Sequence, residues 1–193
     1  MIVDNYTLAE AAAVTEQSVT TINRLIDTGP IARRHVRHQK RQLRVLTRQD
    51  LLFLTALQDS VLASLNKATR ALLYTKICEA WTGEPKTLDL LPVSETLVLQ
   101  LQAIVDKLLA RLSDLEVAKA IAVEDPEIRG GEPVIQGTRI PVHLVADMLA
   151  DGATEEEILR GYPTLRGKDL NLIRVYAQAY PRQGRPPKHP WHE

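Results

Sequence analysis

Between Thr28 and Gln49 the chain carries seven basic side chains, Arg33, Arg34, Arg37, Lys40, Arg41, Arg44 and Arg48, and not one acidic residue. A run of one sign repels itself, so it cannot be gathered into a core. It is stable only when solvated or matched by an anion, and phosphate is the commonest such anion. His35 and His38 lie inside the run and add charge when protonated. The residues before it narrow the choice of fold. Leu8, Ala9, Ala12 and Ala13 share one face of a short helix, and Val19, Ile22, Leu25 and Ile26 repeat at helical spacing in a second. Ser18 suits the N-cap of that second helix, because its hydroxyl accepts an otherwise unpaired backbone N–H, and Gly29-Pro30 ends it. Residues 7–48 therefore read as a helix-turn-helix followed by a cationic arm.

Apolar positions are scattered through the arm at Ile31, Val36, Leu43, Val45 and Leu46. The alternation Gln42-Leu43-Arg44-Val45 suits a strand with one buried face, which predicts a wing of two strands. Thr47 then caps a helix whose third position is Asp50, from which a carboxylate can return to the cap, and LLFLTAL begins the helical body.

This order resembles the winged-helix DNA-binding domain of the MerR type over roughly the first 58 residues. The resemblance implies that the second helix enters the major groove while the wing grips the flanking backbone. Carried onto this sequence, it makes Ser18, Thr20, Thr21, Asn23 and Arg24 candidates for DNA contact, and Arg33, Arg34, Arg37, Lys40, Arg41 and Arg44 candidates for holding phosphates. The chemistry is consistent: Asn and Arg form paired hydrogen bonds to base edges, and hydroxyls bond phosphate.

Residues 51–81 are expected to be helical with a break near Ser64 to Lys67, and TLDLLPV, between Gly83 or Pro85 and Pro92, to form a short strand. Beyond it Val98, Leu101, Val105, Leu108, Leu112 and Leu115 are spaced alternately by three and four, a heptad seam. So short a seam packs inside its own chain more often than it forms a free coiled coil, although dimerisation on a palindromic site is the usual way for a winged helix to gain affinity.

At Asp125 the composition changes. Pro126, Gly130, Gly131, Pro133, Gly137 and Pro141 forbid a long helix, while Val134, Ile135, Ile140 and Val142 flank a turn at Gln136 to Arg139, the pattern of a small hairpin. Residues 143–150 follow as a helix ended by Asp151-Gly152. Thr154 and Glu157 form a capping box for the next helix, closed by Pro163, and a third runs through Leu170, Ile173, Val175, Tyr176 and Ala179. The glycines do not make a phosphate loop: no Lys-Ser/Thr pair follows Gly137, and there is no GxGxxG. GGEPVIQGTRIPV, then ADGATEEEILRGYPTL, then a Tyr-Ala near the end, is similar to the domain of unknown function 433, a helical domain found in antitoxins related to the VapB group. Arg166-Gly167-Lys168 departs from that pattern, standing where a capping Thr or Ser is expected.

Formal net charge is zero, with 24 basic and 24 acidic side chains, so only their distribution is informative. Residues 124–161 hold nine carboxylates, among them Asp147, Asp151 and Glu155 to Glu157, against Arg129, Arg139 and Arg160. That balance opposes close approach to phosphate and suits a protein partner. The tail PRQGRPPKHPWHE is too rich in proline to bury a core. Arg182, Arg185 and Lys188 around Gly184-Arg185-Pro186 resemble an AT-hook arm for the minor groove. Alternatively they enter an acidic site on a protein partner, with Trp191 as the anchor.

Cys78 is the only cysteine, which excludes an intramolecular disulfide and a cysteine-based zinc site. His35, His38, His143, His189 and His192 show no ligand pattern, so neither metal nor cofactor is expected, and no catalytic set appears. With neither a signal-peptide pattern nor a long apolar run, a cytoplasmic location is expected.

The expected fold is mainly α: a winged helix-turn-helix at 1–58, a helical connecting or dimerisation region at 59–122, a three-helix, helix-turn-helix-like domain with a short β-hairpin at 123–180, and an extended basic tail at 181–193. The two resemblances together imply an antitoxin that binds a cognate PIN-like ribonuclease toxin and its own operator double-stranded DNA, as a homodimer or a larger complex. A MerR-like, ligand-responsive regulator without a toxin is the alternative.

Overall fold

Short-range capping sets most of the helix starts. Thr7 caps the first helix through its hydroxyl, which accepts from the Glu10 backbone N–H at 3.2 Å, while the Glu10 carboxylate accepts from the Thr7 N–H at 2.8 Å. Ser18, Thr47, Asp59, Asn66 and Thr154 serve later helices in the same way. The computed structural model describes residues 5–38, 41–81, 89–95 and 97–182, and they form a mainly α-helical protein with small β-hairpins. The chain divides into two compact units, Met1–Glu116 and Val117–Glu193.

The first unit begins with β1 (Tyr6–Thr7), α1 (Leu8–Thr15) and α2 (Val19–Thr28). Ala11, Ala12, Ala13 and Val14 of α1 are buried, as are Ile22 and Ile26 of α2. Small side chains let α1 lie close to both α2 and its later neighbour α3 (Arg48–Ala56). Between α1 and α2, Glu16 sits at φ 50°, in the left-handed region that costs a non-glycine residue about 1 kcal/mol. Its carboxylate meets Arg111 at 2.5 Å. β2 (Arg34–His38) and β3 (Arg41–Leu46) form an antiparallel hairpin with Val36 opposite Leu43, and β1 pairs with the outer side of β3, giving the sheet order β1-β3-β2.

α3 is buried from Asp50 to Ala56, and its core position explains its uniformly apolar sequence. Gln17 donates to the Leu54 carbonyl at 2.7 Å, and Gln58 donates to the Thr15 carbonyl, so two amides tie the α1–α2 turn to α3. α4 (Ser60–Ser64) and α5 (Lys67–Ala80) follow, the break between them falling at Leu65-Asn66; Leu57 to Asp59 make a second break, where Asp59 caps α4. Phe53 of α3 meets Tyr74 of α5 edge to face, with centroids 5.3 Å apart.

β4 (Leu91–Pro92) pairs with β5 (Val98–Leu99), and α6 (Gln102–Ile121) comes after them. The heptad reading needs correction at its first position: Val98 lies in β5, 54% exposed, and the helix begins four residues later. Leu101, Val105, Leu108, Leu112 and Leu115 are all buried, so this apolar stripe is already covered by the chain itself.

In the second unit β6 (Ala122–Val123) pairs antiparallel with β7 (Val134–Ile135). The expected hairpin is thus revised. A tight turn does join Ile135 to Ile140, with the Ile135 N–H donating to the Ile140 carbonyl at 2.9 Å, and Gly137 takes φ 75° there. The second arm pairs only as an isolated antiparallel bridge of Val134 to Pro141, with the Val142 N–H donating to the Pro133 carbonyl at 2.9 Å, before the chain enters α7 (Val142–Ala150). The strand partner of β7 is the segment at the end of α6. α8 (Glu155–Gly161) and α9 (Gly167–Ala179) complete the unit. Val142, Val145, Ile158, Leu165, Leu170, Ile173 and Tyr176 form its core with Ala118 and Ile135. At the departing segment Arg166 occupies the N-cap, and the Asp169 carboxylate accepts from its backbone N–H at 3.0 Å, which replaces the missing Ser or Thr.

Candidate nucleic-acid interface

α2 buries Ile22 and Ile26 and presents Thr20, Arg24, Asp27 and Thr28 to solvent, as the i, i+4 repeat requires. The β2–β3 hairpin is fastened beside it by side chains. Arg44 Nη1 donates to Asn23 Oδ1 at 2.6 Å, its Nη2 lies 3.6 Å from Asp27 Oδ1, and Arg33 Nη2 lies 3.1 Å from the same oxygen. One acid therefore binds two arginines, Arg33 just before β2 and Arg44 within β3, and the hairpin is attached to α2 through Asn23 and Asp27.

A second acid takes a third arginine. Asp50, fully buried, accepts from Arg34 Nη1 at 2.6 Å, from Tyr74 Oη at 2.6 Å, and from both the backbone N–H and the hydroxyl of Thr47 at 2.7 and 2.9 Å. A buried carboxylate is tolerable only with such a set of donors. Burial, then the hydrogen bond and charge of Asp50, push the Tyr74 phenol well above its ordinary 10.0. Burial alone would lower the Arg34 pKa, but the hydrogen bond of Tyr74 and the charge of Asp50 outweigh it, so the guanidinium is held charged. Cys78, half-buried, has its thiol pushed up by burial and by the Asp50 charge against the opposing hydrogen bond of Tyr74, which favours the protonated form.

The sequence-derived candidates thus fall into different classes. Ser18 caps α2, and its hydroxyl is 2.9 Å from that of Thr21, so these two hydroxyls satisfy each other. Asn23 uses its amide oxygen on Arg44, which leaves its NH₂ to donate but removes the acceptor needed for a paired contact with adenine. Arg34 is held by Asp50, and Arg33 and Arg44 by Asp27. Thr20, Arg24 and Arg37 are exposed, and Arg24 and Arg37 have no acidic partner among the described residues. Lys40, the side chain of Arg41, and Arg185, Lys188 and Trp191 of the tail lie outside the described residues. Arg182 is held at 2.8 Å by Asp147 and 3.8 Å from Glu132, within the second unit.

Sequence reading missed Asp27 and Tyr74, and gave Asp50 its capping role but not its pairing with Arg34 and Tyr74. The signal was present in part: Asp27 and Asp50 are the acids that bound the acid-free stretch on either side. Tyr74 had no local signal. Among the described residues no group of three or more His, Cys, Asp or Glu is placed to hold a metal ion, and no helix is long and apolar enough to cross a membrane.

In the second unit the acidic surplus is partly paired. Arg160 binds Glu156 at 2.8 Å and Arg174 binds Glu155 at 3.2 Å. Glu157 closes the capping box, and the Thr154 backbone N–H and hydroxyl draw its pKa below the usual carboxylate value. His143 is buried, tilted against Tyr176 with centroids 6.0 Å apart.

Over residues 123–177 the chain matches the family model described as Protein of unknown function (DUF433). It is 32% identical over 196 residues to the uncharacterized protein y4eO of Sinorhizobium fredii (strain NBRC 101917 / NGR234), across 92% of this chain and 82% of that protein. It is also similar to the crystal structure of Rv2018 from Mycobacterium tuberculosis, at 18% identity and a TM-score of 0.30, with 88% of this chain and 96% of that one covered. The identity to y4eO runs nearly the whole length of the sequence, so the chain belongs to the family of that uncharacterized protein and carries a DUF433 domain at 123–177.

Proposed function

We propose that the chain is an operator-binding antitoxin: its first unit reads double-stranded DNA as a winged helix-turn-helix, and its DUF433 unit binds and neutralises a PIN-like ribonuclease toxin. It has no catalytic role of its own and represses its own transcription. The observation that carries the DNA reading is the fastening of the β2–β3 hairpin to α2 through Arg44, Asn23 and Asp27. A helix and hairpin held as one piece can engage groove and backbone together, with Thr20, Arg24 and Arg37 exposed for contact. The toxin reading is supported by the DUF433 match beside that first unit, and by the acidic balance of residues 124–161, which favours a protein partner over phosphate.

Two measurements test this. Anisotropy titration of the full chain with duplex DNA from upstream of its own gene should give sequence-dependent binding that Arg24→Ala and Arg37→Ala weaken. Equal affinity for random duplex would count against operator recognition. Co-expression with the neighbouring gene should yield a complex in which ribonuclease activity is suppressed, and a neighbour that neither binds nor is inhibited removes the antitoxin role.

A ligand-responsive regulator without a toxin is the second reading. It is favoured by a cavity of about 210 Å³ at the exit of α2, lined in part by Leu25, Thr28, Gly29 and Pro30.

A further inference from the structure

The cavity at the end of α2 has an uneven lining. Leu25 of α2, Phe53 of α3 and Leu57 just beyond α3 give it apolar walls, Lys67 and Arg70 of α5 add two cations, and no acidic residue lines it. Among its lining residues Phe53 is fully buried, while Thr28, Gly29 and Lys67 are exposed. Neither Lys67 nor Arg70 has an acidic partner among the described residues, unlike Arg33, Arg34 and Arg44 in the same unit. Arg70 Nε is also buried without any hydrogen-bond partner. A buried, charged donor left unmatched beside an apolar space is a poor arrangement for folding alone, since such groups are normally satisfied.

We propose that this cavity is a binding site for a small organic monocarboxylate with an apolar body about the size of one aromatic ring. Size sets the body: an apolar cavity of about 150 Å³ takes a benzene ring, so a space of about 210 Å³ takes a ring with a short acid arm. Charge sets the head group. The Arg70 guanidinium offers a carboxylate paired N–H donors, Lys67 adds a point charge, and the position of both in the first turn of α5 adds the favourable end of the helix dipole. A neutral amide could accept one N–H but would leave the two cations without a counter-charge, and a bare anion such as acetate would leave the space lined by Leu25, Phe53 and Leu57 unfilled. The inference gives the ligand-responsive reading a chemical class of effector, but does not depend on it, because the readout is ligand binding itself.

The test is calorimetric and NMR titration of the full chain with phenylacetate, phenylacetamide and acetate. Saturable binding of phenylacetate, with the amide and acetate each weaker by about tenfold or more, is expected. Arg70→Gln should remove the preference for the acid over the amide, and Leu57→Phe should reduce binding of both by filling the space, with circular dichroism confirming that each variant is folded. Absence of saturable phenylacetate binding, equal affinity for the amide, or full retention of the acid preference in Arg70→Gln would each overturn the site.

Discussion

Arg34 and Asp50 stand 2.6 Å apart, one at the start of the hairpin and the other in the third position of the helix that follows it. The acid is wholly buried, and Tyr74 of α5 occupies its second oxygen. Hairpin, α3 and α5 thus meet at a single carboxylate. Replacing it leaves a guanidinium and a phenol without their acceptor, so Asp50→Ala should destabilise the first unit by about 3 kcal/mol or more. Arg34→Met should cost less, because Thr47 and Tyr74 still satisfy the acid and Arg34 is partly exposed. Denaturant unfolding followed by Trp fluorescence measures both, and equal losses would refute the ranking.

Tyr74 gives the same group a pH signature. Its phenol is held protonated in the folded chain above the ordinary value of 10.0, so the unfolded chain releases that proton first as pH rises. Stability from this source is complete below pH 10 and declines as the pH climbs above it. Ultraviolet titration should show late-ionising tyrosines, Tyr176 being raised by burial as well, and Tyr74→Phe should remove the latest of them.

Asp27 offers a prediction of opposite sense. It neutralises Arg33 and Arg44 at the exposed end of α2, so Asp27→Ala should release cationic charge toward DNA. Nonspecific duplex affinity should rise at low salt, and the slope of log K against log salt should steepen by about one. Folding stability should change by less than about 1 kcal/mol, since the pairs are solvent-exposed. A slope unchanged from the parent protein would show that neither arginine faces phosphate.

Gly29 is required by space. A Cβ there would stand 2.3 Å from the Leu25 carbonyl oxygen, far inside contact distance, and the obstacle is backbone that cannot swing aside. Gly29→Ala should therefore lower stability by about 1–3 kcal/mol. Thermal unfolding reads this directly, and a neutral result would mean that the end of α2 relaxes freely.

His143 makes the second unit sensitive to acid. Burial first, then the Arg182 charge, lower its pKa from 6.5 against the opposing pull of Asp147 and Glu132. The unfolded chain binds the proton more readily, so stability present above pH 6.5 is lost as pH falls through that value toward the lower folded one. His143→Gln should flatten the pH dependence between neutrality and mild acid, and an unaltered profile would assign the effect elsewhere.

These same groups mark what could be read from the letters. Ser18, Thr47 with Asp50, and Thr154 with Glu157 were legible because a cap reaches only three residues along the chain. The destinations of Arg33, Arg34 and Arg44 were not, because each depends on how the hairpin folds back against α2, α3 and α5. The acid-free stretch announced seven cations. Three of them are paired with Asp27 and Asp50, a division that composition cannot express. The pairing of β7 with residues 122–123 was hidden for a related reason: two-residue strands carry too little alternation to name a partner.

α1 has a further meaning as a gauge. Its alanines are buried where α1 packs on both α2 and α3, and with only a methyl group each they let α1 come close to both neighbours. The seating of α2 is therefore set in part by buried residues that bear no charge. Swapping one of these alanines for valine would shift α2 relative to α3 without changing a single outward-facing side chain.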